Sequence, residues 1–111
     1  MKKYTKTYLT AINELTDDNS TFVGCECCGT RATEIHHILN KNRLIEHGVL
    51  SRKDDIENIM AICRSCHNKL GDKDKYISFL FTTHYLFMVK KVELDKGFIG
   101  KFIKILGEYT E

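Results

Sequence analysis

Apolar residues recur at helical spacing through Tyr4, Tyr8, Ile12 and Leu15, which predicts an amphipathic helix over 4–15; the polar run Thr16 to Thr21 then brings loop chemistry. Phe22 and Val23 lead into a cysteine-rich turn closed by Gly29, and Thr33 to Ile38 reads as a strand. From Asn40 to Asp55 the chain is polar and basic, and the pattern predicts a long loop with one short helical turn at Leu44 to His47, stopped by Gly48. Ile59-Met60-Ala61-Ile62 has the length of a buried strand, and a helix is expected to follow it. Two more helices are predicted in the stretch 76–109. The first, Tyr76 to Val89, is apolar around most of its circumference; the second, after Gly97, carries the stripe Phe98, Ile99, Phe102, Ile103, Leu106 and Tyr109.

At 111 residues the chain suits one domain, 1–111, because two would each lack a core. Its 42% apolar and 29% charged residues exclude wholesale disorder and fibrous repeats. The formal charge of +2 tolerates a nucleic-acid partner without demanding one. The basic residues Lys41, Arg43, Arg52, Lys53, Arg64, Lys69, Lys73 and Lys75 alternate with acids. No run from Tyr4 to Leu15 resembles a signal peptide, and Tyr76 to Val89 is too short to span a bilayer, so a cytoplasmic protein without membrane contact is expected.

Five cysteines in such a chain argue for metal rather than disulfides. Cys25 with Cys28, and Cys63 with Cys66, each enclose two residues, a spacing that lets both thiolates of a turn reach one tetrahedral zinc. A closed four-thiolate site has no open coordination position, so this Zn²⁺ is expected to be structural. Cys27 is left over, most simply as a free thiol.

Between and beside these pairs lie His36-His37-Ile38, Asn58-Ile59 and His67-Asn68-Lys69. Singly, each histidine or asparagine is ordinary. In this order, Cys-x-x-Cys, His-His-Ile, Asn-Ile, Cys-x-x-Cys-His-Asn-Lys over 25–70 resembles the HNH endonuclease family. The resemblance implies an α+β fold: a small ββα-metal, treble-clef-like core stapled by zinc, with flanking N- and C-terminal helices. It also implies a metal-dependent endonuclease acting on DNA, most simply double-stranded. His37 matches the general base, His36 and His67 the ligands of one catalytic divalent metal, and Asn58 the residue that orients the intervening loop. Arg64 and Lys69 fall beside the expected phosphate path, with Lys41 and Arg43 as further nucleic-acid contacts.

Two features complicate the match. Neighbours on a regular strand face opposite ways, so the strand must end or bend if His36 and His37 are to address one phosphate; a backbone carbonyl is then expected to fix the His37 tautomer. The fullest family pattern also has a further histidine one helical turn after the second ligand, where this chain has Gly71. Two protein ligands with added water suit Mg²⁺ or Mn²⁺, whereas two imidazoles favour Ni²⁺ or Zn²⁺. The missing histidine supports an alternative, a noncatalytic zinc-dependent nucleic-acid-binding module. Glu34 is a candidate to back up a ligand, His47 and His84 fit no motif, and a homodimer through the C-terminal helices is a lesser alternative to their burial as core.

Overall fold

The computed structural model describes residues 2–12 and 23–109. Leu15, the Thr16–Thr21 loop and Phe22 lie outside the described residues. The first helix, α1, spans Lys3–Ala11 and buries Tyr8.

Two strands form the centre. β1, Glu34–His37, pairs antiparallel with β2, Ile59–Ile62, in the register Glu34 to Ile62 and His37 to Ile59. Strand alternation puts Glu34, His36, Met60 and Ile62 on one face and Ile35, His37, Ile59 and Ala61 on the other. Both faces are covered. Met60 and Ile62 enter the larger core with Leu39, Leu44, Leu80 and Phe102, while Ile59 and Ala61 pack with Tyr8 and Met88. That two-sided burial is why β2 reads as an unbroken apolar run rather than an alternating one.

The connection from β1 to β2 is more ordered than the polar sequence suggests. Helix α2, Lys41–Glu46, starts at Asn40, whose side-chain oxygen accepts from the Arg43 amide at 3.0 Å. It ends before Gly48, which takes φ 70°. It starts three residues before the turn expected at Leu44 to His47, a start that periodicity cannot show because Leu44 is its only buried residue. Two 3₁₀ turns, Leu50–Arg52 and Ile56–Asn58, complete the connection.

Helix α3, Arg64–Leu70, follows β2 at once. Helix α4, Ile77–Met88, reaches both cores, with Leu80 and Phe81 in one and Met88 in the other, which accounts for its apolar circumference. Helix α5, Lys96–Leu106, begins before Gly97 rather than after it, because the Asp95 carboxylate caps the Phe98 amide at 3.0 Å. Its stripe divides: Phe98, Phe102 and Leu106 are buried, joined by Ile105 from outside the stripe, whereas Ile103 is 56% exposed. Phe102 stacks on Phe81 at 4.2 Å between ring centroids. Burying a ring of that size contributes about 1.5–3 kcal/mol.

Polar contacts tie the helices to the centre. Arg52 pairs with Asp55 and, at 2.8 Å, with Asp95, and its guanidinium lies over the Phe98 ring. His84, which matches no motif, is buried against the Glu26 carboxylate at 2.8 Å and the Ile56 carbonyl at 2.6 Å. Glu26 also accepts from the Tyr8 hydroxyl at 2.6 Å and from the Ala61 amide at 3.3 Å. Both ring nitrogens of His84 are thus engaged, and the buried Glu26–His84 pair joins α1, the cysteine turn, β2 and α4. No helix among the described residues is long and apolar enough to cross a membrane.

Candidate functional site

The two cysteine pairs, far apart in sequence, converge. One sulfur from each of Cys25, Cys28, Cys63 and Cys66 lies within 4.8 Å of every other, and Cys28 Sγ is 3.6 Å from Cys63 Sγ. A tetrahedral ion with metal–sulfur bonds of about 2.3 Å separates its ligands by about 3.8 Å, so the cluster has metal-binding dimensions. In the first pair, the Gly29 amide donates to the Cys25 carbonyl at 2.8 Å, and Gly29 closes the turn at φ 82°. In the second, Cys63 caps α3, and its sulfur accepts from the Cys66 amide. That amide is the first cause holding the Cys63 thiol down to about 6, while the Thr30 hydroxyl lowers Cys28. Burial, and then hydrogen bonds with the other sulfurs, pushes Cys66 up, and a cation among the four would favour its thiolate. Cys27 stands outside the cluster as a free thiol, pushed up to about 11 chiefly by burial.

A cleft of about 380 Å³ runs along the free edge of β1 and collects residues from both of its faces. His36, His37, His67, Asp72, Lys41 and Lys53 all line it. The opposite facing of His36 and His37 is accommodated because β1 ends at His37. His36 is 5% exposed, and its ring meets the His67 ring edge-on at 5.0 Å. Desolvation is the first cause lowering the His36 pKa, which keeps the imidazole neutral with a lone pair free for a cation.

His67 sits on α3 and lies between two carboxylates. Its Nδ1 is 3.2 Å from Glu34 Oε1, and its Nε2 is 3.4 Å from Asp72 Oδ2. The nitrogen of His36, that of His67 and a carboxylate oxygen of Asp72 lie within 4.8 Å of one another. A third such group, Glu46, His47 and Glu108, is already engaged by Arg43, which lies 3.4 Å from Glu46 and 3.5 Å from Glu108.

His37 turns away from that group, its ring 4.8 Å from Tyr4 of α1. Its Nε2 lies 2.8 Å from Asp54 Oδ1. A carboxylate, in place of the expected backbone carbonyl, therefore holds this ring. Since an ionised carboxylate only accepts, the proton sits on Nε2 and the lone pair is left on Nδ1.

Behind the cleft, Asn58 is fully buried. Its side-chain oxygen accepts from the Leu39 amide at 2.7 Å, and its nitrogen donates to the Leu39 carbonyl at 3.2 Å and the Lys53 carbonyl at 2.9 Å. These bonds fasten both ends of the connection just past His37 and just before Asp54.

The basic residues separate. Lys41 and Lys53 border the cleft. Arg64 is exposed, 3.7 Å from Glu34, and Lys69 is exposed on α3. Arg43 is engaged elsewhere: besides its two glutamates it lies over the Tyr109 ring at 4.5 Å. Lys53, Asp54 and Asp72 had no distinguishing signal in the sequence, because each sits in a mixed-charge stretch without a characteristic spacing.

Residues 25–73 match the family model described as HNH endonuclease. No curated protein and no solved structure matches the chain. The matched span contains both strands, α3, the four clustered cysteines, the three cleft histidines and Asn58. Residues 25–73 thus match the HNH endonuclease family and have the two strands, helix and clustered cysteines of a small ββα-metal core, carried between helices that lie outside the matched span.

Proposed function

We propose that the chain is a single-domain metal-dependent nuclease that hydrolyses phosphodiester bonds in DNA, with Zn²⁺ held structurally by Cys25, Cys28, Cys63 and Cys66. The observation carrying this reading is the convergence in one cleft of His36 and His67, within reach of a single cation, with His37, whose tautomer is set by Asp54.

In this reading His37 Nδ1 takes a proton from water, and the resulting hydroxide attacks phosphorus in line. Asp54 keeps the ring from rotating and stabilises the imidazolium that forms. His36 and His67 hold a divalent cation, and Glu34 orients His67 from its Nδ1 side. When bound, that ion supplies charge neutralisation at the phosphate and at the leaving oxygen. Asn58 keeps the connection in the shape that places Asp54 against His37. Lys41 and Lys53 meet the phosphate backbone, while Arg64 and Lys69 extend the basic surface along α3.

The test is incubation of the zinc-loaded protein with supercoiled plasmid or single-stranded DNA, with EDTA or with Mg²⁺, Mn²⁺, Ni²⁺ or Zn²⁺, beside a His37→Ala control. Nicking that requires both the ion and His37 is expected. Folded protein that retards DNA in a gel but cuts with no metal would replace this reading with the noncatalytic binding module.

A further inference from the structure

Gly71 occupies the place where the fuller family pattern has a third histidine, and the structure shows that the place is closed. A Cβ built on Gly71 would lie 2.5 Å from His67 Cδ2 and 2.7 Å from the His67 carbonyl oxygen. The carbonyl belongs to the backbone of α3 and cannot swing aside, so a side chain at 71 would displace the His67 ring. The chain stops being helical at Gly71, and Asp72 follows at φ 59°. Asp72 is the only non-glycine residue at positive φ among the described residues. That turn brings its carboxylate back over the end of α3, to 3.4 Å from His67 Nε2.

Resting on the nuclease reading above, we infer that Asp72 is the third protein ligand of the cation held by His36 and His67, supplied from beyond the helix because Gly71 leaves the helical position bare. Three observations support this. A carboxylate oxygen of Asp72 and one ring nitrogen each of His67 and His36 already lie within 4.8 Å of one another, and all three residues line the cleft. His67 presents Nε2 toward Asp72 at 3.4 Å and turns Nδ1 toward Glu34 at 3.2 Å, so Nε2 is the nitrogen on the Asp72 side. His36 is 95% covered and points its ring into this group. Two neutral imidazoles offer no charge, and Asp72 adds the negative charge that a divalent cation otherwise lacks among its protein ligands. Two nitrogens and one carboxylate leave coordination positions open for water and a phosphate oxygen. The mixed set accepts Mn²⁺ in addition to the ions that imidazole prefers.

The test uses the full chain with its cysteine site filled with zinc, and Mn²⁺ as the probe, read by loss of the free-ion electron paramagnetic resonance signal. Wild type is expected to bind one Mn²⁺ beyond the zinc. Asp72→Ala should weaken that binding by about tenfold or more, at least the loss seen for residues that merely support a ligand. Asp72→Asn, which keeps an oxygen donor without the charge, should fall between. Asp74→Asn, a neighbouring charge removed, should leave the affinity unchanged; an equal loss there would reduce Asp72 to a distant field and overturn ligation. Gly71→Ala should weaken binding through the His67 ring with zinc content and circular dichroism unchanged. If Asp72→Ala binds as wild type while His36→Ala and His67→Ala do not bind, Asp72 is no ligand and the nuclease reading stands. If wild type takes up no second ion, whether Mn²⁺, Ni²⁺ or Zn²⁺, both fall together.

Discussion

Replacing Asn58 by alanine tests how the site is held rather than what it does chemically. Three hydrogen bonds from a side chain with no exposed surface would be lost, those with the Leu39 amide, the Leu39 carbonyl and the Lys53 carbonyl. Each buried bond contributes about 1 kcal/mol net, and a buried polar group left unsatisfied costs about 1–3 kcal/mol, so Asn58→Ala should destabilise the protein by about 3–6 kcal/mol. At roughly 4 °C per kcal/mol for a domain of this size, Tm should fall on the order of 12–24 °C. Thermal and urea unfolding of the zinc-loaded protein, followed by circular dichroism, measures this. Asn58→Asp offers a sharper comparison. Its carboxylate can still accept from the Leu39 amide, but it sets an acceptor against the Leu39 and Lys53 carbonyls, so it should rescue little. A loss below about 1 kcal/mol in both variants would mean that the connection is fixed by its other contacts and that Asn58 is not its clamp.

Removing His84 as His84→Ala strands Glu26 in the core; breaking a buried pair in this way costs about 3–5 kcal/mol, measurable by urea unfolding, and a near-neutral result would refute the pair's part in holding α4 to the cysteine turn. Cys66→Ser should lose the structural metal, whereas Cys27→Ser should keep it, with zinc content by mass spectrometry of the native protein deciding between cluster and bystander. Asp95 is held below the ordinary carboxylate range, first by the Phe98 amide and then by Arg52. A depressed folded pKa gives stability that is present above the unfolded value and is lost as pH falls through the folded one. Asp95→Asn should therefore flatten the acid side of the Tm profile below about pH 4, where the unfolded carboxyl begins to titrate, and leave the neutral side's slope unchanged.

Much of the site was legible along the chain because it is local. A Cys-x-x-Cys turn can be recognised without knowing what lies opposite it, since the spacing itself brings two sulfurs to one point. The unbroken run Ile59–Ile62 announced a buried strand, and the apolar circumference of 76–89 announced a helix with cover on more than one side, because burial on two faces removes polar positions from a sequence. The same locality hid the full extent of α2, read only as a turn at Leu44 to His47. One buried leucine leaves no period to read, and the helix is held by the Asn40 cap and by Leu44 entering a core built from other segments.

What only the tertiary structure decided are the partners of residues that carry no pattern of their own. Asp54 and Asp72 look like ordinary surface acids in mixed-charge stretches until the connection and the end of α3 fold back on the histidines. Glu26 and His84, 58 positions apart, become a buried pair only when α4 packs against the cysteine turn. The sequence determined which groups could bind a metal or move a proton, since those properties belong to side-chain type and short spacing. Their placement depended on long-range contacts, in which a carboxylate gains its role from whatever the chain brings within about 3 Å of it, a distance that no interval along the sequence encodes.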